Sequence, residues 1–224
     1  KYPLFMFQYS GPGSQQVSNS WDGGNGLWFN HLVQKGYIVV CVDGRGTGYR
    51  GTKYKKVTYK NLGKYEIEDQ IAAAKWLGNQ SYIDKSRIGI FGWSYGGYMA
   101  SLAMTKGADV FKLGIAVAPV TNWRYYDSIY TERFLQTPQE NPEGYDQNSP
   151  TTFAKLLKGK FLLIHGTADD NVHFQNSMEF SEALIQSNKQ FEFMAYPDKN
   201  HGIYGGQTRP QLYKKMTDFI LENL

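Results

Sequence analysis

The sequence has almost no cysteine: Cys41 stands alone, so no internal disulfide braces the fold. It falls in the apolar run 37–42, which predicts a buried thiol on a strand. No apolar stretch approaches the roughly 18 residues that a membrane-crossing helix needs, and no basic-then-apolar leader precedes the first strand-like run. Blocks of like charge are missing too. The 24 Lys and Arg and 20 Asp and Glu are dispersed along 224 residues for a net charge of +4, which offers no polybasic footprint for nucleic acid or a membrane surface. Internal repeats and low-complexity tracts are also absent.

What remains is enough for one core. Hydrophobic residues make up 41% of the chain, so 1–224 reads as a single globular domain. Aromatic content is 16%, with 17 Tyr and 5 Trp, and rings with a polar tip suit the rigid, amphipathic walls of a ligand pocket.

Apolar, β-branched and aromatic runs at 3–9, 37–43, 87–92, 112–118, 160–165 and 190–196 predict strands, several of them continuous enough to be buried on both faces. Helical spacing links Ile67, Ile71, Ala74 and Leu77, and it recurs over 98–104, over 174–185, and through Leu212, Met216, Phe219, Ile220 and Leu224. Strands alternating with helices predict an α/β fold, a doubly wound and mostly parallel sheet with helices on both faces. The proline-rich stretch 136–152 has little periodicity and reads as a surface excursion. The chain opens directly on a strand without an initiator Met, so it reads as a piece excised from a longer one.

Gly92-Trp93-Ser94-Tyr95-Gly96 follows a predicted strand and precedes a predicted helix. This context is what a nucleophile elbow requires: a strained turn lifts the serine hydroxyl off the sheet, and flanking glycines keep Cβ atoms out of the corner. A serine hydroxyl needs an imidazole to take its proton and a carboxylate to orient that imidazole. In the α/β-hydrolase order of Ser, Asp, His, the candidates are Ser94, then Asp169 or its neighbour Asp170, then His201, with the last two groups on loops after predicted strands. Spacing alone does not separate the two aspartates. Of the four histidines, His31 falls in a helical run, His165 ends a strand and His173 begins a helix, which leaves His201 as the base. The Tyr95 amide supplies one oxyanion donor. No His-Gly-Gly-Gly segment offers a second, and Tyr9, at the end of an early strand, is the candidate for it against a reading as a packed strand-end tyrosine.

Two other patterns carry less. Gly46-Thr47-Gly48-Tyr49-Arg50-Gly51 spells a dinucleotide fingerprint, but no apolar helical pattern opens at its third glycine. His165, Asp169, Asp170 and His173 can be drawn as a zinc site, a reading set aside because His165 ends a strand and Asp169 is wanted elsewhere. Neither a metal nor an organic cofactor is expected.

Tyr9-Ser10-Gly11-Pro12-Gly13, Val42-Asp43-Gly44-Arg45-Gly46-Thr47-Gly48, Glu68-Asp69-Gln70-Ile71, the elbow continued through Gly97 and Tyr98, and segments 123–133 and 165–174 together resemble the prolyl oligopeptidase family, in its dipeptidyl peptidase branch. The resemblance runs over nearly the whole chain and implies an α/β-hydrolase fold. It selects Asp169 over Asp170, giving a Ser94, Asp169, His201 triad, and it pairs Tyr9 with the Tyr95 amide as the oxyanion hole. Trp123, Tyr126 and Tyr130, spaced as on one helical face, resemble the wall of a proline pocket, where spacing alone would suit core packing equally. Val120, Val172 and Tyr95 match further pocket positions, and Asn171 matches a residue that holds the substrate carbonyl.

The implied activity is acyl transfer to water, releasing dipeptides with proline or alanine second from the amino terminus. An acylaminoacyl peptidase, a prolyl endopeptidase and a noncatalytic interaction domain of the same fold are the alternatives. The family's amine-binding glutamates belong to an N-terminal β-propeller that this sequence does not contain, and the first strands of the hydrolase domain also lack a counterpart here. The expectation is therefore an isolated catalytic piece with an exposed sheet edge. The resemblance also implies a homodimer and a periplasmic, secreted or cell-surface enzyme.

Overall fold

The computed structural model describes residues 1–21 and 25–224. Six strands, β1 (Tyr2–Phe7), β2 (Ile38–Cys41), β3 (Ile83–Trp93), β4 (Leu113–Val117), β5 (Lys160–Gly166) and β6 (Glu192–Tyr196), form one sheet in the order β2-β1-β3-β4-β5-β6. Every pairing between them is parallel. Parallel neighbours need crossovers, and eight α-helices among the described residues supply most of the connecting chain: α1 (Asn25–Gln34), α2 (Thr52–Lys56), α3 (Lys64–Gly78), α4 (Tyr95–Thr105), α5 (Ser128–Leu135), α6 (Pro142–Asp146), α7 (Gln175–Gln186) and α8 (Thr208–Asn223).

Strand alternation sends side chains to two separate cores. Leu4, Met6, Ile88, Ile90, Phe161 and Leu163 point to the face covered by α3, α4 and α7. Phe5, Phe7, Phe91, Leu113, Ile115, Val117, Leu162 and Ile164 point to the face covered by α1 and α8, where they meet Trp28, Leu32, Leu212, Met216, Phe219 and Ile220. The expected doubly wound α/β architecture is therefore present. No helix among the described residues is long and apolar enough to cross a membrane.

Several expectations need correction. Trp123, Tyr126 and Tyr130 do not share one helix: Trp123 sits in a 3₁₀ turn (Trp123–Tyr125), Tyr126 is extended, and α5 begins only at Ser128. Asp127 is the physical cause, since its carboxylate accepts the Tyr130 amide at 2.8 Å and so caps a new helix between them. Segment 136–152 is not merely a surface excursion. It carries α6, capped by Asn141, and the start of a 3₁₀ helix (Pro150–Leu156), and it buries Tyr145, Asn148, Ser149 and Pro150. Cys41 is half-buried on the edge strand β2 rather than fully enclosed. A helix does follow Gly51, but its five residues are all unburied, so it presents no apolar packing face.

Candidate active site

The elbow is built by close packing. Ser94 joins β3 to α4 with φ 61° and ψ −118°, outside the ordinary regions for an L-residue, at a cost of order 1–3 kcal/mol. Hydrogen bonds hold the turn on both sides: the Ser94 amide donates to Val117 O at 2.8 Å and the Tyr98 amide to Ser94 O at 2.9 Å. A Cβ on Gly92 would lie 2.2 Å from Gly96 O, and one on Gly96 would lie 2.6 Å from Gln8 O. Only glycine lets the strand, the turn and the helix approach this closely.

On the neighbouring loops, His201 Nδ1 lies 2.7 Å from Asp169 Oδ2. Asp169 Oδ1 accepts the amides of Asn171 and Val172, both at 3.0 Å. Its side chain is fully buried. Burial alone would raise the Asp169 carboxyl, but hydrogen bonds from His165 and His201 and the Asn171 amide outweigh it and hold the group well below the ordinary carboxylate range. Because Asp169 stays ionised and accepts at this contact, His201 carries its proton on Nδ1, leaving Nε2 as the acceptor. Spacing had left Asp170 as an alternative, but the contact is made by Asp169.

The two loops meet because Gly166 has no side chain: a Cβ there would stand 2.2 Å from Lys199 O. Thr167 and Ala168 amides donate across the join to Tyr196 O and Lys199 O at 3.0 and 3.1 Å. Trp93 Nε1 donates to His201 O at 3.0 Å, so the residue before Ser94 also tethers the imidazole loop.

Ser94, His201, Tyr9, Trp93, Tyr126 and Asn171 are among the residues lining one cleft of about 420 Å³ at the carboxyl ends of the strands. Burial raises the Tyr9 phenol, and interaction with the Ser94 side chain offsets part of that rise, so the hydroxyl keeps its proton near neutral pH. Tyr126, raised to about 12 by burial with Asp127, Tyr9 and Asp169 adding to it, likewise stays protonated. Its hydroxyl donates to Asn171 Oδ1 at 2.7 Å.

Behind the cleft, Tyr95, Trp123, Val120 and Val172 are buried, with Tyr126 and Tyr130 packed against them. Although no single helix carries them, the rings assemble: Trp123 stacks on Tyr130 at 6.0 Å, Tyr126 meets both edge-on, and Tyr95 lies 5.5 Å from Trp123. The residues proposed for the triad, the oxyanion hole and the pocket thus gather at one end of the sheet.

Sequence reasoning missed His165 as part of this arrangement. Its buried ring has Nδ1 2.7 Å from Ser177 Oγ and Nε2 2.8 Å from Val172 O and 3.1 Å from Asp169 Oδ2. Val172 O can only accept, so Nε2 carries the proton and shares it with Asp169, while Nδ1 accepts from Ser177. A histidine four residues before Asp169 was the available signal. Gln8, Ser10 and Gln70 were also missed: Gln8 Nε2 donates to Gly96 O at 2.8 Å, Ser10 Oγ donates to Gln8 Oε1, and Gln70 Nε2 donates to Val42 O.

A parallel sheet that turns through a strained serine into a buried helix, with a carboxylate-held imidazole lining the same cleft, is the architecture of the α/β-hydrolase class. Within that class the chain belongs to the prolyl oligopeptidase family, whose profile matches residues 27–224. It is 46% identical over 224 residues to the prolyl endopeptidase FAP of Mus musculus, covering 98% of this chain and 29% of that protein. It is 47% identical over 226 residues to a probable dipeptidyl-aminopeptidase B of Neurospora crassa, covering 99% of this chain and 24% of that one. The crystal structure of Porphyromonas gingivalis dipeptidyl peptidase 4 matches with a TM-score of 0.96 at 53% identity, over 100% of this chain and 31% of that chain. The chain thus spans less than a third of the length of these relatives.

Proposed function

We propose that this chain is the catalytic domain of a dipeptidyl peptidase that cleaves after proline or alanine through an acyl-enzyme. The observation that carries the reading is the 2.7 Å contact of His201 Nδ1 with Asp169 in the cleft that also holds the strained Ser94. With Nδ1 committed, His201 Nε2 takes the Ser94 proton as Oγ bonds to the scissile carbonyl carbon. It then passes that proton to the departing amine as the C–N bond breaks. Water repeats the sequence on the ester, with His201 as base, and Ser94 is regenerated. Negative charge on the carbonyl oxygen is met by the Tyr95 amide and the protonated Tyr9 hydroxyl.

The aromatic wall of Trp123, Tyr126, Tyr130 and Tyr95, with Val120 and Val172, receives the residue before the scissile bond. Burying a proline ring there contributes about 2 kcal/mol, and larger side chains are refused by size. Asn171 holds the preceding carbonyl by donating from Nδ2, while its Oδ1 goes on accepting the Tyr126 hydroxyl. In the full-length protein the substrate amine is bound by glutamates of an N-terminal β-propeller. Family resemblance is likewise what supports a homodimer and a periplasmic, secreted or cell-surface location. No cofactor enters the reaction.

The test sets Gly-Pro-anilide beside its N-acetylated form, using full-length protein. Turnover of the free-amine substrate alone is the expected result, equal turnover of both points to an endopeptidase, and selective cleavage of the blocked form points to an acylaminoacyl peptidase. A fluorophosphonate should label Ser94 and leave Ser94→Ala unlabelled. If the wild type is neither labelled nor active, the peptidase reading fails.

A further inference from the structure

The reaction described above makes no use of Glu66, the first-turn acid of α3, which is completely buried. One of its carboxylate oxygens, Oε1, accepts the Tyr95 hydroxyl at 2.7 Å. The other, Oε2, has no hydrogen-bond partner among the described residues. A buried carboxyl with an empty lone-pair face is an expensive way to satisfy one phenol. The neighbouring Tyr98 shows the cheaper solution, donating to the backbone carbonyl of Leu62 at 2.9 Å.

Tyr95 is the residue whose placement matters most here. Its main chain begins α4 immediately after Ser94. Its ring bridges the two halves of the site, 6.1 Å from Tyr9 on one side and 5.5 Å from Trp123 on the other. The helix fixes only the backbone end of this residue. The far end of the ring is held by Glu66.

We propose that Glu66 is a positioning residue that sets the preference for proline over alanine by anchoring the Tyr95 ring as a fixed wall of the specificity pocket. The proposal rests on the assignment of Tyr95 to that pocket under the proposed function. A proline ring fills the pocket and gains contact from a wall that cannot move, whereas the methyl group of alanine touches little of it. Loosening the wall therefore weakens proline substrates selectively. Burial raises the Glu66 carboxyl to about 7, against the lowering effect of the Tyr95 hydrogen bond and two backbone contacts, with Asp69 raising it further. The phenols facing it, Tyr95 and Tyr98 from α4 and Tyr130 from α5, are themselves pushed up by burial. Both the neutral and the ionised carboxyl accept the Tyr95 hydroxyl, so the anchor persists through this titration.

The experiment compares kcat/KM for Gly-Pro-anilide and Gly-Ala-anilide in full-length wild type, Glu66→Gln, Glu66→Ala, Tyr95→Phe and the Glu66→Ala/Tyr95→Phe double variant. Expected are a loss of about tenfold on the proline substrate for each anchor-breaking variant, about twofold on the alanine substrate, and a double variant no worse than either single one. Glu66→Gln, which keeps an acceptor, should stay within about threefold of wild type. Should Glu66→Ala fail to fold, as judged by near-ultraviolet circular dichroism, Tyr95→Phe against Glu66→Gln carries the same comparison. Equal losses on both substrates, additive single and double variants, or unchanged selectivity in the anchor-breaking variants would overturn the proposal while leaving the peptidase reading standing. A wild type that is inactive and unlabelled at Ser94 would overturn both.

Discussion

The two faces of the sheet are packed by different rules. On the face of α1 and α8 the interior is Phe5, Phe7, Phe91, Trp28, Phe219 and aliphatic neighbours, and its polar contacts are few, such as Trp28 Nε1 donating to Thr217 Oγ1 at 2.9 Å and the Tyr37 hydroxyl to Ile220 O at 3.3 Å. On the face of α3, α4 and α7 the core is threaded by buried polar groups: Gln8, Ser10, Glu66, Gln70, Ser101, Asn176 and Ser177 are all fully enclosed. Each buried polar group costs free energy unless it is partnered. The apolar face contributes stability cheaply, and the polar face spends some of it to hold Gly96, Tyr95 and, through Ser177 and His165, the carboxylate of Asp169 that His201 contacts.

That contrast is sharpest for substitutions that separate activity from stability. Asp169→Asn should lower kcat by roughly 10⁴, because the imidazole loses the partner that fixes its tautomer, while Asp170→Asn should change kcat by less than about twofold. Comparable losses in the two variants would mean that the observed contact does not select the orienting group. On the opposite face, Phe219→Ala should cost about 3–5 kcal/mol, read as a lower urea midpoint, with kcat/KM of the folded fraction within about twofold of wild type. An activity loss of tenfold or more at undiminished stability would erase the distinction between the faces.

The smallest effect concerns pH. Glu66 is raised in the folded state to about 7 from 4.5, so between those values the folded chain holds a proton that the unfolded chain has released. Stability therefore falls as pH rises through that window, by on the order of 3 kcal/mol, and levels off above it. Glu66→Gln should remove this component, so its stability gains on wild type between pH 5 and about 8. Parallel stability curves for the two proteins across this range would show that burial of Glu66 carries no such cost.

Much of the fold was legible because burial on both faces writes itself as uninterrupted apolar runs. All six strands fall where those runs predicted, and α4, α7 and α8 match their helical spacing within a few residues. The exception among the strands is β3, which starts at Ile83, four residues before the expected 87. Its early residues Asp84, Lys85 and Ser86 are polar and largely exposed, so hydrophobicity could not mark them. The strained turn at Ser94 was legible from local context, and the choice of Asp169 over Asp170 as the contact of His201 only with the help of family resemblance. The polar supports were not. Glu66 and Gln70 sit one residue before Ile67 and Ile71 on α3, and a charged residue beside an apolar stripe reads as solvent-facing until tertiary packing closes over it. The grouping of Trp123, Tyr126 and Tyr130 as a pocket wall came from family resemblance, and the single helical face that their spacing suggested is not what the backbone forms. The rings meet because Asp127 folds the chain back at the right point, which spacing does not encode.

Gly166 contributes no reactive atom, yet the separation between the strand-end turn and the chain leading to His201 is set by the hydrogen it carries in place of a methyl. The register between acid and imidazole is thus fixed by an excluded volume, and a position defined by what it omits leaves no trace in an inventory of functional groups.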